Sequence, residues 1–321
     1  MLGDAETAFA RLAARFEDGD DGILTALRDH ALAHGQARPL AELLDRLADA
    51  SNERRASTFG EVAIELWRDH VGDPAAALSS ALRSLEARPN DPSMLTRIET
   101  LAGLAGDYDR LIEAYRAFLV SGISDDEQVA AIVRLAHVLE HEARDPSRAL
   151  DAIGSACARR PLRDDLFERA DALARAAKSF DRLLEIHERR VNALDEKRQV
   201  ESLLRCAEIA GISLTKVERA ISYLSRAAII SIDRPAALDR IDAVALRIDT
   251  SVEKHASCRV GLATEYTKIA ERPEATRART PLLLRAADLL SRSHDRAKPA
   301  YELLREAVRV DGSDEKLIAA L

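Results

Sequence analysis

The chain has 321 residues, 47% apolar and 4% aromatic, with a net charge of −8. That is enough apolar material for a continuous core rich in Leu and Ala, and the scarcity of aromatics, Gly and Pro favours helices over strands. No apolar run approaches the ~18 residues of a membrane span, and no charged stretch followed by an apolar one opens the chain, so a soluble, cytoplasmic protein is expected.

In chain order, the first predicted helix lies near Asp4–Phe16 and carries Ala8, Leu12 and Arg15. The same kind of segment returns with Ala77, Ala81, Ser84 and Pro89, then with Ala149, Ile153, Ala156 and Pro161. It returns again with Ala220, Leu224, Ala227 and Ile232, and finally with Ala300, Leu304, Ala307 and Gly312. The spacing is ~71 residues, the mark of a solenoid whose units cannot bury their apolar faces alone. Each unit reads as four helices. In the clearest unit they run near Asp125–Ala143, from Pro146 to Pro161, from about Arg163, and from about Ser179. Asp73-Pro74, Asp91-Pro92 and Asp145-Pro146 place a capping Asp before Pro at the first helical position. The last interval is longer by about nine residues, and a longer helix or surface loop is expected between Glu265 and Thr280.

One helical-repeat array over 1–321 is therefore expected, with units 1–51 (partial), 52–123, 124–194, 195–270 and 271–321 (partial). Ser313–Leu321 reads as the start of a further helix that leaves Ile318 and Leu321 uncovered. A longer array, or self-association through uncapped ends, would cover them. Residues 1–150 carry 16 basic and 27 acidic side chains, and residues 151–321 carry 31 and 28. Such asymmetry bears on partner choice, not on fold. Only seven of the 47 basic residues are Lys, which fits a GC-rich, bacterial coding sequence. Cys157, Cys206 and Cys258 have no CxxC spacing and read as buried free thiols of a reducing compartment.

The hairpins resemble tetratricopeptide repeats. Ala77, Ala81, Ser84 and Pro89 occupy the family's late small–bulky–small–proline places, as do Ala149, Ile153, Ala156 and Pro161. Gly106, Tyr108, Leu111, Tyr115 and Phe118 fit the turn and second helix of alternate hairpins. The family's early Trp-Leu-Gly-Tyr pattern is mostly missing, and Trp67 is the only tryptophan. The resemblance implies a right-handed all-α solenoid of antiparallel hairpins and a protein- or peptide-binding role without chemistry.

Aligning the first helix of each hairpin by the repeat yields columns. One reads Glu65, His137, Glu208, Asp288. Three positions earlier it reads Val62, Arg134, Arg205, Arg285, and four positions later Asp69, His141, Ile212, Arg292. A column that is polar in every unit is not core. Facing a groove, Glu65, Arg134, His137, Arg205, Glu208, Arg285 and Asp288 would offer acid and base to a peptide or helix. The competing explanation is i,i+3 pairing on a solvated face, Arg205 with Glu208 and Arg285 with Asp288.

His30/His34 and His137/His141 have i,i+4 spacing but no evident third ligand, so no metal is expected. Phosphate loops, GxSxG and HExxH are absent, and neither an enzyme nor a cofactor is expected. Arginines at 159, 160, 163, 189, 190 and 272–279 could meet phosphates, but carboxylates are almost as numerous nearby and stacking aromatics are few. The reading is thus a non-catalytic scaffold whose concave surface binds a peptide or helix. A regulatory or sensor arm of a larger enzyme or transcription regulator, and a nucleic-acid-binding repeat protein, are the alternatives. Partner identity is not written in the sequence.

Overall fold

A computed structural model describes residues 2–51, 53–251, 258–292 and 296–310. Seventeen α-helices and no strand occur among the described residues. The contacts divide the chain into two compact units, residues 1–152 and 153–321.

The first unit opens with α1 (Leu2–Glu17). Hairpins follow: α2 (Leu24–Ala33) with α3 (Ala37–Asp49), α4 (Glu53–Glu65, prolonged by a π-turn over Leu66–Val71) with α5 (Pro74–Ala87), and α6 (Pro92–Ala105) with α7 (Tyr108–Leu119). Then come α8 (Asp125–His141) and α9 (Pro146–Arg159), inside which the division falls. The second unit pairs α10 (Asp164–Ala177) with α11 (Phe180–Val191), and α12 (Glu196–Glu208, prolonged by a π-turn over Ile209–Ser213) with α13 (Val217–Ile230). It continues with α14 (Pro235–Ser251) and α15 (Cys258–Ala270), then α16 (Arg279–Ser291) and α17 (Ala297–Val310). The fold class is all-α, with antiparallel helical hairpins succeeding one another within each unit.

The repeated small residues explain the close packing. Ala77, Ala81, Ala149, Ile153, Ala156, Ala220, Leu224, Ala227 and Ala307 have no exposed surface, and Ala300 is nearly as buried. A small side chain here lets neighbouring helices approach, and each fully buried Leu or Ile contributes about 2 kcal/mol. Helix starts follow the capping rule. Asp73, Asp107 and Asp145 accept from the amides of Ala76, Arg110 and Arg148, Asp91 accepts from Ser93 and Met94, and Ser124 with Glu127 forms a capping box.

Helix ends repeat too. Gly35, Gly106 and Lys178 have positive φ at the ends of α2, α6 and α10, and Gly72, Arg144 and Thr215 have it where α4, α8 and α12 finish. A left-handed residue turns the chain back so that its N–H groups can satisfy the last helical carbonyls. Thus the amides of Asp73, Asp145 and Lys216 donate to Trp67, Leu139 and Ala210 at 2.9, 2.8 and 2.7 Å.

The long interval is divided between two places. Between Glu265 and Thr280, α15 ends at Ala270 and a connection over 271–278, with a short 3-10 turn at Pro273–Ala275, leads to α16, where only 192–195 separate α11 from α12. Further length enters before α15, for α14 has 17 residues where α10 has 14. Ser313–Leu321, Ile318 and Leu321 lie outside the described residues.

Candidate interaction surface

The arginine column belongs to a recurrent three-residue cluster. Glu99 on α6, Asp171 on α10 and Asp242 on α14 stand about 71 residues apart. Each is the carboxylate of a joint between three successive helices. In the first joint Tyr115 of α7 donates its hydroxyl to Glu99, while Arg134 of α8 donates to Glu99 Oε2 at 2.8 and 2.6 Å. In the last, Tyr266 of α15 donates to Asp242 Oδ1 at 2.6 Å, and Arg285 of α16 reaches Asp242 Oδ2 at 2.6 Å and Asp239 at 2.6 Å. The middle joint has a shorter ring. Arg205 of α12 donates to Asp171 at 2.8 Å, but His187 Nε2 of α11 is 3.7 Å from the same oxygen, too far for a hydrogen bond.

Burial governs the electrostatics. It pushes the Tyr115 and Tyr266 hydroxyls well above the usual phenol range, helped by the bonded carboxylates. Burial also raises Asp242, and Tyr266 and Arg285 offset this only in part, with Asp239 adding to the rise. For Asp171 burial acts in the same sense, yet nearby His187 and Arg205 outweigh it and hold the carboxyl below its usual range. A carboxylate in such a place needs its partners, because removing one leaves a buried charge uncompensated.

The preceding copy of the repeat carries a different solution. By the repeat, Leu27, Leu43 and Val62 take the three places. Leu27 and Leu43 are buried and Val62 is half-buried. Carboxylate, ring and arginine are replaced together, which is the change that costs least.

The column residues fall as follows. Glu65 pairs with Arg28 at 2.5 Å. His137 lies against His141 with ring centroids 4.5 Å apart, as His30 does against His34. Glu208 accepts from Arg205 at 3.2 Å and from Arg247 at 2.5 Å, and keeps only 18% side-chain exposure. The Arg205–Glu208 pair on one helix is therefore present, while Arg285 turns to α14 and Asp288 pairs with Arg292 at 2.9 Å. No group of three or more His, Cys, Asp or Glu suited to a metal occurs among the described residues. All three cysteines are buried, which pushes each thiol up to about 12. The carboxylates at 99, 171 and 242 escape an alignment confined to one helix per four-helix unit, although their own spacing was there to find.

Arg285 and Asp288 meet at a cleft of about 390 Å³ between α14 and α16. Half-buried Leu246 and Leu284 and buried Leu289 supply its apolar lining, with Asp239, Asp288 and Arg292 around them. A second cleft of about 680 Å³, between α12 and α14, is lined by Val200, Ala236 and Ala237 with Lys197, Arg234 and Arg240. The two flank α14.

No protein-family model matches the chain, and no curated protein matches it at a significant level. Among solved structures it is similar to the C-terminal part of a TPR repeat-containing protein from Cytophaga hutchinsonii, at 14% identity and TM-score 0.29, over 83% of this chain and 99% of that one. It is also similar to yeast Tom70, at 12% identity and TM-score 0.23, over 99% and 77%. A chain of the Naa15/Naa10 structure bound to HypK-THB matches at 15% identity and TM-score 0.28, over 98% of this chain and 52% of its own length. Scores this low carry no function from those proteins to this one. No helix of the described residues is long and apolar enough to cross a membrane.

Proposed function

We propose that the chain is a non-catalytic protein-interaction scaffold and that a peptide or helix docks along α14, in the clefts on its two sides. The observation that carries this is the α14–α16 cleft, where Leu246 and Leu284 remain partly open within a ring of charge. An apolar anchor surrounded by polar groups is the arrangement of a peptide dock. Within the predicted set, Asp288 is well placed to meet a partner, being 58% exposed beside Arg292. Arg134, Arg205, Glu208 and Arg285 act first as joints between helices, so charge reversal there tests folding before binding.

The test is affinity capture from the native host with the wild type, Leu246→Glu and Leu284→Glu, each checked for unchanged helical content. A protein recovered by the wild type and lost with both variants supports the dock. Equal recovery by all three overturns it.

A further inference from the structure

His187 is a buried imidazole without a hydrogen bond. It is 4% exposed, and neither ring nitrogen has a partner. Such a group is uncommon, because burying a polar atom unpaired costs stability. Its position in the repeat is that of Tyr115 and Tyr266, which both donate to the carboxylate of their joint. The imidazole is shorter than a phenol, and Nε2 stops 3.7 Å from Asp171.

The surroundings are specific. Asp171 faces His187 from α10, together with Phe167, whose ring centroid is 5.4 Å away. Arg205 and Glu208 bring charge from α12. On its own helix, Arg190 lies 4.0 Å over Phe167, on that ring rather than on the imidazole. The π-turn over Ile209–Ser213 packs on α11 and carries no charged side chain. Next to α11, Cys157 of α9 is neutral because burial pushes its thiol up to about 12. Asp171 stands 3.7 Å from the ring, while Glu188, the next residue on α11, is held by Arg219 and Tyr223 of α13, and Glu208 by Arg205 and Arg247.

We infer that His187 makes the α10–α11–α12 joint a pH-sensitive clasp, open when the imidazole is neutral and closed onto Asp171 when it is protonated. A protonated ring is a donor at both nitrogens, and attraction to the carboxylate draws Nε2–H across the remaining gap. Asp171 has lone pairs for both Arg205 and the ring, so closure breaks no existing bond. The tyrosine joints do not switch in this range, since their hydroxyls donate at any pH near neutrality. The stabilisation belongs to the protonated ring and is lost as rising pH removes that proton.

The test is hydrogen exchange on the full chain at pH 5.5 and 8.0, corrected for intrinsic exchange, in the wild type, His187→Tyr and His187→Phe. In the wild type, protection of α10, α11 and α12 amides is expected to rise about tenfold at the lower pH, the lower end of what one hydrogen bond to a charged group carries. In His187→Tyr protection is expected to be high at both pH values, and in His187→Phe the rise is absent. No rise in the wild type, or an equal rise in either variant, overturns the clasp. Should His187→Phe fail to fold, His187→Tyr decides alone, because its ring donates without titrating.

Discussion

Tyr266 donates to Asp242 across 24 residues of chain, whereas Tyr115 and Glu99, in the same relation, are 16 residues apart. The extra residues leave the joint intact. The tertiary requirement is therefore the three-way contact, not the loop length. Lengthening a surface connection costs little compared with unpairing a buried carboxylate.

Removing one member of this joint should be costly. Arg285→Ala is expected to destabilise the chain by about 2–3 kcal/mol, somewhat below the figure for a fully buried pair because both side chains keep some exposure. Replacing all three, by Asp242→Leu, Tyr266→Phe and Arg285→Val, should return stability to within about 1.5 kcal/mol of wild type, as apolar Leu27, Leu43 and Val62 indicate. Urea unfolding of the single and triple variants checks both. A triple variant no better than Arg285→Ala contradicts the account.

Asp171 sets an acid limit. Its folded-state pKa is depressed, so the unfolded chain binds the proton more readily. The associated stability is fully present above the unfolded value of about 3.9 and is lost as pH falls through the lower folded value. Asp171→Asn should lose stability at pH 7 and show a flatter decline between pH 5 and pH 2. Parallel curves for variant and wild type would show that other carboxylates dominate.

Three left-handed helix ends lack glycine. Arg144, Lys178 and Thr215 have φ of 54°, 53° and 55°. A left-handed side-chain residue costs about 1–2 kcal/mol, partly offset by the lower unfolded-state entropy it brings relative to glycine. Thr215→Gly should stabilise by about 1 kcal/mol, because its branched Cβ suffers most, and Arg144→Gly and Lys178→Gly by less. Gly72→Ala should move stability the other way. Thermal midpoints suffice to rank the four.

Gly211 is a contact, not a turn. A Cβ there would lie 2.7 Å from Ile248 Cγ2 and 2.9 Å from both Cγ1 and Cδ1. Overpacking of this kind costs about 1–3 kcal/mol, so Gly211→Ala should destabilise the α12–α14 seam. In the Ile248→Ala background the same substitution should be far less harmful. A double-mutant cycle with no coupling would place the strain elsewhere.

The hairpins were legible because their signals are local. Asp73-Pro74 and Asp145-Pro146 announce a helix start in two residues, and Ala77, Ala81, Ala149 and Ala156 mark a close approach by their size alone. The joints are different in kind. Arg134, Arg205 and Arg285 stand out as a column, yet their carboxylates lie 35, 34 and 43 residues away on other helices. One helix at a time, an arginine bound to the previous hairpin looks the same as one facing solvent. Only part of the added length near α15 was legible, because Tyr266, which fixes the register there, lies outside the small-residue pattern.

The joint with Leu27, Leu43 and Val62 and the joint with Asp242, Tyr266 and Arg285 are two stable endpoints separated by costly intermediates. A lineage can keep the polar set or hold the apolar set, but each single step between them passes through an unpaired charge or an idle hydroxyl. The joint of Asp171, His187 and Arg205 is such an intermediate, held with a buried imidazole that makes no hydrogen bond.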